Sequence, residues 1–406
     1  MNNNSIRKTI AYGIGNVLAW YSYTLFMPFL ILLAQAFFPS GNDSQNMLVG
    51  LMAFGCGLIT RPFGSYIFGR IGDLICTEKA VGISYLLLAI STAGIGFIPS
   101  YEECGILSSI LLILARSLQG IAMGGAGNVS LVQLVEIAPP KYKSLVGCIP
   151  NASNLIGLFI SNLVFSFLYF EVNDISHTQY WRIPFLAGFV LLIFAYLQFR
   201  EMKCSKNKSP VKLSLDDIKK YKLEIFCTFL FTALSAISYY FVFAFLPNYS
   251  LSHFGENAIN SIIITNIILV ISVFLGGYLS DKFGQIPVLF FVFGNSFLAG
   301  LIPLCFDHKD AISLLIPSLG VSLAAYYGAS AAFFASLFPS GVRCTLIAVT
   351  MSISQAMFGS TAPLIANGLT SYSFKLITVH ILFICVCAIL TLLLIRRKRK
   401  TVKPFS

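Results

Sequence analysis

The feature of this sequence that most limits its fold is a succession of apolar runs, each about 20 or more residues long. A helix of that length crosses the hydrocarbon core of a bilayer, which is roughly 30 Å thick. Because lipid offers no partner to backbone N–H and C=O groups, a run that crosses it must be helical. We count twelve such spans, at residues 11–38, 48–71, 79–98, 106–135, 144–169, 182–199, 223–246, 260–280, 286–305, 311–337, 344–370 and 374–395.

The composition agrees with an integral membrane protein. Of the 406 residues, 57% are hydrophobic and 11% are charged, whereas soluble domains average about 25% charged residues. No small-residue cleavage site follows the first run, so we expect a retained helix rather than a signal peptide. The ten cysteines stand singly apart from Cys385 and Cys387, which argues against a disulfide framework or a zinc site.

The basic residues predict the orientation in the membrane. If the N-terminus and every second loop share one side, only Arg182, Lys309 and Lys375 fall on the other side, while Arg61 and Arg116 fall inside spans. The great majority of the 27 basic residues then face one side, and the positive-inside rule makes that side, with both termini, cytoplasmic. The net charge of +11 is therefore a topology signal, and we expect no nucleic-acid binding.

The longest polar stretch divides the spans into six and six. We expect an N-terminal six-helix bundle at 1–199, a cytosolic linker at 200–222 and a C-terminal six-helix bundle at 223–406. Residues 213–221 of the linker could form a short surface helix. The basic cluster at 396–400 is suited to contact anionic membrane lipid.

A loop motif ending in Asp occurs in both halves. The first copy ends at Asp73 and the second at Asp281, each where a span emerges into a tight turn. A carboxylate there can cap the next helix or pair with a cation across the bundle, and such a contact can hold an inner gate closed. We therefore assign a gating role to Asp73, Arg70, Asp281 and Arg343, with simple capping as the alternative.

Charged residues are placed unevenly within the spans. None of the sixteen acidic residues lies in the middle of a span, although proton-driven transport usually needs a titratable group there. Arg61 and Arg116 lie well inside, where an uncompensated charge costs at least a few kcal/mol. Because a guanidinium can bind two oxygens of a carboxylate or phosphate, the pair predicts a cavity for a negative group. The alternative is that each arginine satisfies backbone carbonyls or a helix end.

Further polar residues recur at helical spacing in both halves. For any single residue, helix packing is the more common role, and the glycines at 120, 124 and 127 allow close helix approach. As a set, these polar residues suit a path at the interface of the halves, where secondary transporters bind substrate. With the two arginines, the predicted substrate-binding residues are Asn16, Trp20, Tyr23, Gln119, Asn128, Asn151, Tyr239, Tyr326 and Gln355.

Several motifs stand in a characteristic order, namely Gly15-Asn16-x-x-x-Trp20-Tyr21, Arg61-Pro62-x-Gly64, Gly69-Arg70-x-Gly72-Asp73, Arg116-x-x-Gln119-Gly120 and Phe338-Pro339-x-x-Val342-Arg343. In this order the chain resembles the major facilitator superfamily, and more narrowly its metabolite:proton symporter family, which includes bacterial proline/betaine and α-ketoglutarate carriers. The resemblance implies an all-α integral membrane fold of twelve transmembrane helices in two pseudo-symmetric six-helix bundles. It also implies alternating access to a central site for small organic solutes, and it favours the bacterial inner membrane. We expect the protein to be a monomer.

The sequence departs from this family where carboxylates are expected. Relatives usually carry acids in the first span, where this chain has Ala19 and Ser22, and in the fourth, where it has Ala126. The loop motif usually ends in basic residues, but the first copy is followed by Glu78 and the second by Gln285.

We therefore expect a transporter, not an enzyme, of a small organic metabolite such as an amino acid, a betaine-like zwitterion or a carboxylate. Proton symport rests on the resemblance alone. The alternatives are uncoupled facilitation or exchange, and a non-transporting receptor or scaffold that keeps the fold. No cofactor or metal is expected.

Overall fold

The structure of the chain is a computed structural model that describes residues 3–39, 43–171, 179–204, 214–240, 257–305, 308–359 and 376–401. All regular structure within these ranges is helical. By length and composition, eight helices in the described part of the chain could cross a membrane. Many large apolar side chains on them are exposed, which is the surface that contact with lipid requires.

The first six predicted spans correspond to helices in the structure. A single turn of helix, α6, stands in the loop between the third and fourth spans. The helices are α1 (Asn3–Thr24), α2 (Leu30–Phe37), α3 (Asp43–Ile59), α4 (Arg61–Leu74), α5 (Thr77–Phe97), α6 (Tyr101–Cys104), α7 (Ile106–Ile137), α8 (Lys143–Gly147), α9 (Ile149–Glu171) and α10 (Arg182–Arg200).

The described helices of the second half follow the remaining predicted spans. The short helix expected in the linker is present as α11, whereas residues 241–246, 360–370 and 374–375 of three predicted spans lie outside the described ranges. The helices are α11 (Leu215–Lys220), α12 (Lys222–Tyr240), α13 (Asn257–Phe283), α14 (Gln285–Cys305), α15 (His308–Ala335), α16 (Arg343–Ser354) and α17 (Leu376–Thr401).

The first two spans are not continuous helices, contrary to the simple interpretation of their apolar runs. The first is interrupted at residues 25–29, around Pro28, which has no N–H to donate. The second is interrupted at Thr60, and Pro62 stands in the first turn of α4. Proline is tolerated at a helix start, as Pro62 is in α4, whereas Pro28 lies just before Phe29, the N-cap residue of α2.

The chain divides into two compact units. The first contains Met1–Leu134, Ser153–Val211 and Ser340–Ser352, and the second contains Val135–Ala152, Lys212–Pro339 and Ile353–Ser406. Each unit therefore includes a short stretch from the other half of the sequence. The boundary expected at residues 200–222 remains a prediction.

Small residues permit close packing of α4 and α7 in the first unit. A Cβ atom on Gly64 would overlap the backbone of Ile121, and one on Gly124 would overlap the backbone of Ser65. Gly120 likewise lies directly against the carbonyl of Gly57. The close helix approach predicted for Gly120 and Gly124 is confirmed, whereas a Cβ atom on Gly127 would lie 3.8 Å from the ring of Trp20, an ordinary contact.

Aromatic rings fill the core of the second unit. Phe231 of α12 lies 4.7 Å from Phe293 of α14 and 5.8 Å from Phe333 of α15, measured between ring centroids. All three side chains are fully buried. These contacts hold α12, α14 and α15 together, and large buried aromatic rings contribute strongly to such packing.

Candidate functional site

Arg61 begins α4 and is buried, with 3% of its surface exposed. Its guanidinium carbon lies 5.2 Å from the ring centroid of Trp20 and 5.4 Å from that of Tyr23. Within the described ranges, Nε and Nη2 have no hydrogen-bond partner. Aromatic faces therefore stabilise the cation without using these two donors, which are available to an anion.

Arg116 of α7 is fully buried and is held differently. Its Nη1 donates to the side-chain oxygen of Gln119 at 2.6 Å and to the backbone oxygen of Tyr23 at 3.3 Å. Its guanidinium carbon lies 4.2 Å from the ring centroid of Phe26. Gln119 in turn donates to the hydroxyl of Thr92 at 2.8 Å, so Arg116 belongs to a network that joins α1, α5 and α7.

Tyr23 lies between the two arginines. Its ring centroid is 4.9 Å from the guanidinium carbon of Arg116, and it also faces Arg61. Its hydroxyl is buried and has no hydrogen-bond partner in the part of the chain that the structure describes. We call Arg61, Arg116, Tyr23, Trp20 and Gln119 the cationic cluster. The structure thus brings together five residues that were predicted from sequence.

Asn16 and Asn128 make hydrogen bonds between helices. The amide of Asn16 donates to the backbone oxygen of Tyr12 at 2.8 Å and accepts from the hydroxyl of Ser130 at 3.0 Å. The amide of Asn128 donates to the hydroxyl of Ser352 at 2.9 Å. Packing is therefore the role that the structure describes for both, and their contact with substrate remains a prediction.

Three of the predicted site residues lie in or beside the packed helices of the second unit. Asn151 donates from its amide to the backbone oxygen of Tyr327 at 3.0 Å. Tyr326 is buried, with its ring centroid 5.8 Å from that of Tyr327. Tyr239 stands near the end of α12 and is partly exposed. Their role in binding substrate also remains a prediction.

Gln355 begins a π-helical turn, Gln355–Gly359, directly after α16. Its side-chain oxygen is buried and has no hydrogen-bond partner in the described ranges. Short π-helical turns inside helices frequently occur at functional sites, because they turn side chains and backbone groups away from the regular ladder. Sequence periodicity gave no sign of this turn.

Asp73 is fully buried and caps a distant helix. Its carboxylate accepts hydrogen bonds from the backbone N–H groups of Cys344 at 3.0 Å and Thr345 at 2.8 Å, and from the hydroxyl of Thr345 at 2.6 Å. These groups belong to the first turn of α16, whose N–H groups have no partner within the helix. The sequence predicted a cap on the next helix or a pair with a cation, and did not predict this long-range contact.

Asp281 makes the equivalent contact in the second unit. Its two carboxylate oxygens accept from the backbone N–H groups of Ser144 at 2.8 Å and Leu145 at 2.9 Å, at the start of α8. A basic residue begins each capped helix, Arg343 in α16 and Lys143 in α8. Both copies of the loop motif thus place a carboxylate on a helix N-terminus, where negative charge is favoured.

A glycine four residues before each aspartate permits this contact. A Cβ atom on Gly69 would lie 2.8 Å from Cα of Thr345, and one on Gly277 would lie 3.0 Å from Cα of Leu145. The capped helix therefore packs directly on the glycine backbone. Arg70, the fourth predicted gating residue, is partly exposed in the last turns of α4.

One pairing contradicts the sequence analysis. The structure joins Cys76 and Cys204 in a disulfide, although the single, scattered cysteines predicted none. The two residues are separated by 128 positions, and only the fold brings the loop after α4 beside the chain that leaves α10. No signal in the sequence indicated the pair, since both cysteines belong to the predicted cytoplasmic side, where persistent disulfides are rare.

Comparisons with known proteins agree with this architecture. The sequence profile of the Major Facilitator Superfamily matches residues 12–359 of this chain. A putative proline/betaine transporter of Staphylococcus aureus (strain MSSA476) is 27% identical over 382 residues, which covers 90% of this chain and 82% of that protein. The glycine betaine/proline/ectoine/pipecolic acid transporter OusA of Dickeya dadantii (strain 3937) is 28% identical over 429 residues, which covers 96% of this chain and 83% of that protein.

Among solved structures, a crystal structure of double-tryptophan mutants of XylE matches with a TM-score of 0.75 and 15% identity, covering 96% of this chain and 94% of that one. This likeness and the family match confirm the predicted all-α membrane fold of twelve helices. They also place the chain among transporters rather than enzymes. The chain therefore belongs to the Major Facilitator Superfamily.

Proposed function

We propose that this transporter moves a small organic solute with a carboxylate group, such as an amino acid or a betaine, across a bacterial inner membrane by alternating access. The observation that carries the proposal is the buried guanidinium of Arg61, whose Nε and Nη2 atoms have no partner in the described ranges. A buried cation is costly unless an anion or a dipole compensates it. A substrate carboxylate would supply that compensation through two parallel hydrogen bonds.

The rings around Arg61 support a carboxylate that belongs to a zwitterion. Trp20 is partly exposed, while Tyr23 is buried beneath both guanidinium groups. Aromatic faces attract quaternary ammonium groups, so the exposed part of Trp20 suits the cationic end of a betaine. Proline and betaine, which the names of the relatives contain, each have one carboxylate and one cationic nitrogen.

For the energetics of transport, we propose facilitated diffusion or exchange rather than proton symport. Ala19 and Ala126 replace acids that the family usually carries, and both are fully buried, as is Ser22. None of these side chains can carry a proton through the membrane at neutral pH. The described carboxylates of Asp73 and Asp281 cap helices, and that of Glu78 pairs with Lys8.

For the conformational cycle, we propose that Asp73 and Asp281 act as paired latches, that is, as contacts that close the transporter on its cytoplasmic side. We also propose that both termini are cytoplasmic and that the protein acts as a monomer. Each latch consists of hydrogen bonds from a helix N-terminus to a carboxylate. Such bonds can break and reform without covalent change, as alternating access requires. The basic end of α17 would contact anionic lipid on the same side.

Uptake by purified protein in liposomes tests this function. Labelled amino acids, betaines and carboxylates would be offered with and without an imposed pH gradient. We expect uptake of a carboxylate-bearing solute that equilibrates regardless of the gradient. Accumulation that requires the gradient would establish proton symport instead, and the absence of any uptake would favour a non-transporting receptor.

A further inference from the structure

We propose that Cys76 and Cys204 form a thiol–disulfide switch that slows transport when it is oxidised. Their Cα atoms are 5.7 Å apart in the first unit. Cys76 is the N-cap residue of α5 and follows Asp73 by three positions, and Cys204 follows the last residue of α10 by four. The bond therefore joins the loop that carries the Asp73 latch to the beginning of the predicted linker.

A buried ion pair connects the same two segments. Lys8 Nζ lies 2.5 Å from Glu78 Oε1 and donates to the backbone oxygen of Lys203 at 3.2 Å. Glu78 is only 1% exposed and also accepts from the amide of Gln133 at 3.3 Å. Because Lys8 already holds Lys203 beside the loop, reduction of the disulfide would leave the two thiols close enough to pair again.

The environment suits a reversible bond. On the predicted topology both cysteines face the cytoplasm, where thiol reductants act and persistent disulfides are rare. Cys204 is half-buried, whereas Cys76 is buried with 4% of its surface exposed. An external thiolate therefore reaches the sulfur of Cys204 first. Glu78 Oε2 lies 3.3 Å from the sulfur of Cys76 and can accept a hydrogen bond once that sulfur is a thiol.

The chemistry is ordinary thiol–disulfide exchange. A low-molecular-weight thiolate attacks the sulfur of Cys204 and forms a mixed disulfide, and Cys76 leaves as a thiolate that takes a proton. A second thiolate attacks the reagent sulfur of that mixed disulfide and releases Cys204 as a thiolate, which is also protonated. Two reagent thiols are oxidised to one disulfide as the protein bond is reduced. A low-molecular-weight disulfide reverses both steps.

The effect on transport rests on the proposed function of the Asp73 latch. Opening that latch requires the loop after α4 to move away from the start of α16. A covalent link from Cys76 to the chain after α10 restricts this movement. The oxidised protein should therefore open its latch less often and transport more slowly than the reduced protein.

The test compares the full-length protein in liposomes after treatment with oxidised glutathione and with dithiothreitol. Maleimide mass labelling of the denatured protein should show two more reactive thiols after reduction. Uptake of labelled proline or glycine betaine should rise several-fold on reduction. Cys204→Ser should transport, in both conditions, at the faster rate of the protein whose disulfide is reduced. Cys305→Ser removes an exposed free cysteine and should respond like the unaltered protein.

Equal numbers of reactive thiols in both conditions would overturn the pairing, and equal uptake in both would overturn the switch. If no solute is taken up in either state, the proposed function fails and hydrogen exchange decides the inference. Faster amide exchange in the Asp73–Thr77 peptide after reduction would support the tether. Unchanged exchange there would overturn it.

Discussion

Asp73 and Thr345, which are 272 positions apart, are joined by two hydrogen bonds to one carboxylate oxygen, from the backbone N–H at 2.8 Å and from the hydroxyl at 2.6 Å. The carboxylate is fully buried, so its charge is compensated by these donors and by the N–H of Cys344. A buried charge satisfied by a helix N-terminus depends on the position of that helix. This relationship makes Asp73 sensitive to any movement of α16.

Asp73→Asn should loosen this contact. The amide is neutral and accepts at only one of its two positions, so at least one buried N–H loses its partner, at a cost of about 1–3 kcal/mol. The buried thiol of Cys344 lies in the loosened turn. We expect faster maleimide labelling of Cys344, located by peptide mass spectrometry.

Asp216→Asn, which alters an exposed carboxylate on α11, provides the matched control and should not change the labelling. Unchanged labelling of Cys344 in Asp73→Asn would show that the hydrogen bonds do not hold the start of α16.

The two glycines of the loop motif should be intolerant of alanine. In Gly69→Ala the new Cβ atom would lie 2.8 Å from Cα of Thr345, which forces a backbone to shift. We expect a lower midpoint of thermal unfolding and a lower transport rate. In Gly55→Ala the new Cβ atom meets nothing within 4 Å, so this change should be neutral or stabilise α3 by up to about 1 kcal/mol. Equal melting temperatures for the two variants would contradict the close packing.

The Lys8–Glu78 pair should show strong coupling. Removal of one partner leaves the other charge buried, at a cost of about 3–5 kcal/mol. Lys8→Met and Glu78→Gln should each lower the stability of the protein more than the double variant does. The measurement is a double-mutant cycle of unfolding in detergent. If the two losses of unfolding free energy simply add in the double variant, the 2.5 Å contact between Lys8 and Glu78 contributes little to stability.

Much of the architecture follows from the sequence, and the predictions that were wrong or missing have physical causes. The length of the apolar runs predicts the spans, because lipid leaves the backbone no alternative to a helix. The break at residues 25–29 escaped a hydropathy count, since the residues around it are apolar too. The disulfide of Cys76 and Cys204 was missed because pairing depends on distance in space rather than in sequence.

The candidate site was only partly predictable for a similar reason. Buried arginines stand out in an apolar span because a charge there needs compensation, and Arg61 and Arg116 were found by that argument. Their different environments could not be predicted. The partners of Arg116 come from α1 and from its own helix, whereas Nε and Nη2 of Arg61 have no partner in the described ranges.

These environments predict different consequences of mutation for the two arginines. Arg116→Gln removes a hydrogen bond to the backbone of Tyr23 and packing against Phe26, so we expect lower stability and poor yield of folded protein. Size-exclusion chromatography and thermal unfolding measure this effect. A stable Arg116→Gln protein with unchanged transport would exclude both a structural and a binding role for Arg116.

The central claim is that Arg61 binds the carboxylate of the substrate. Its most direct test is uptake of labelled proline or glycine betaine in liposomes by the unaltered protein and by Arg61→Gln, with Arg200→Gln as a control for loss of an exposed charge. Unlabelled substrate and its amide, which lacks the carboxylate, serve as competitors. We predict that the amide competes poorly with the unaltered protein and that Arg61→Gln, folded normally, loses most of its uptake. Full uptake by Arg61→Gln, with unchanged preference for the carboxylate, would contradict the account.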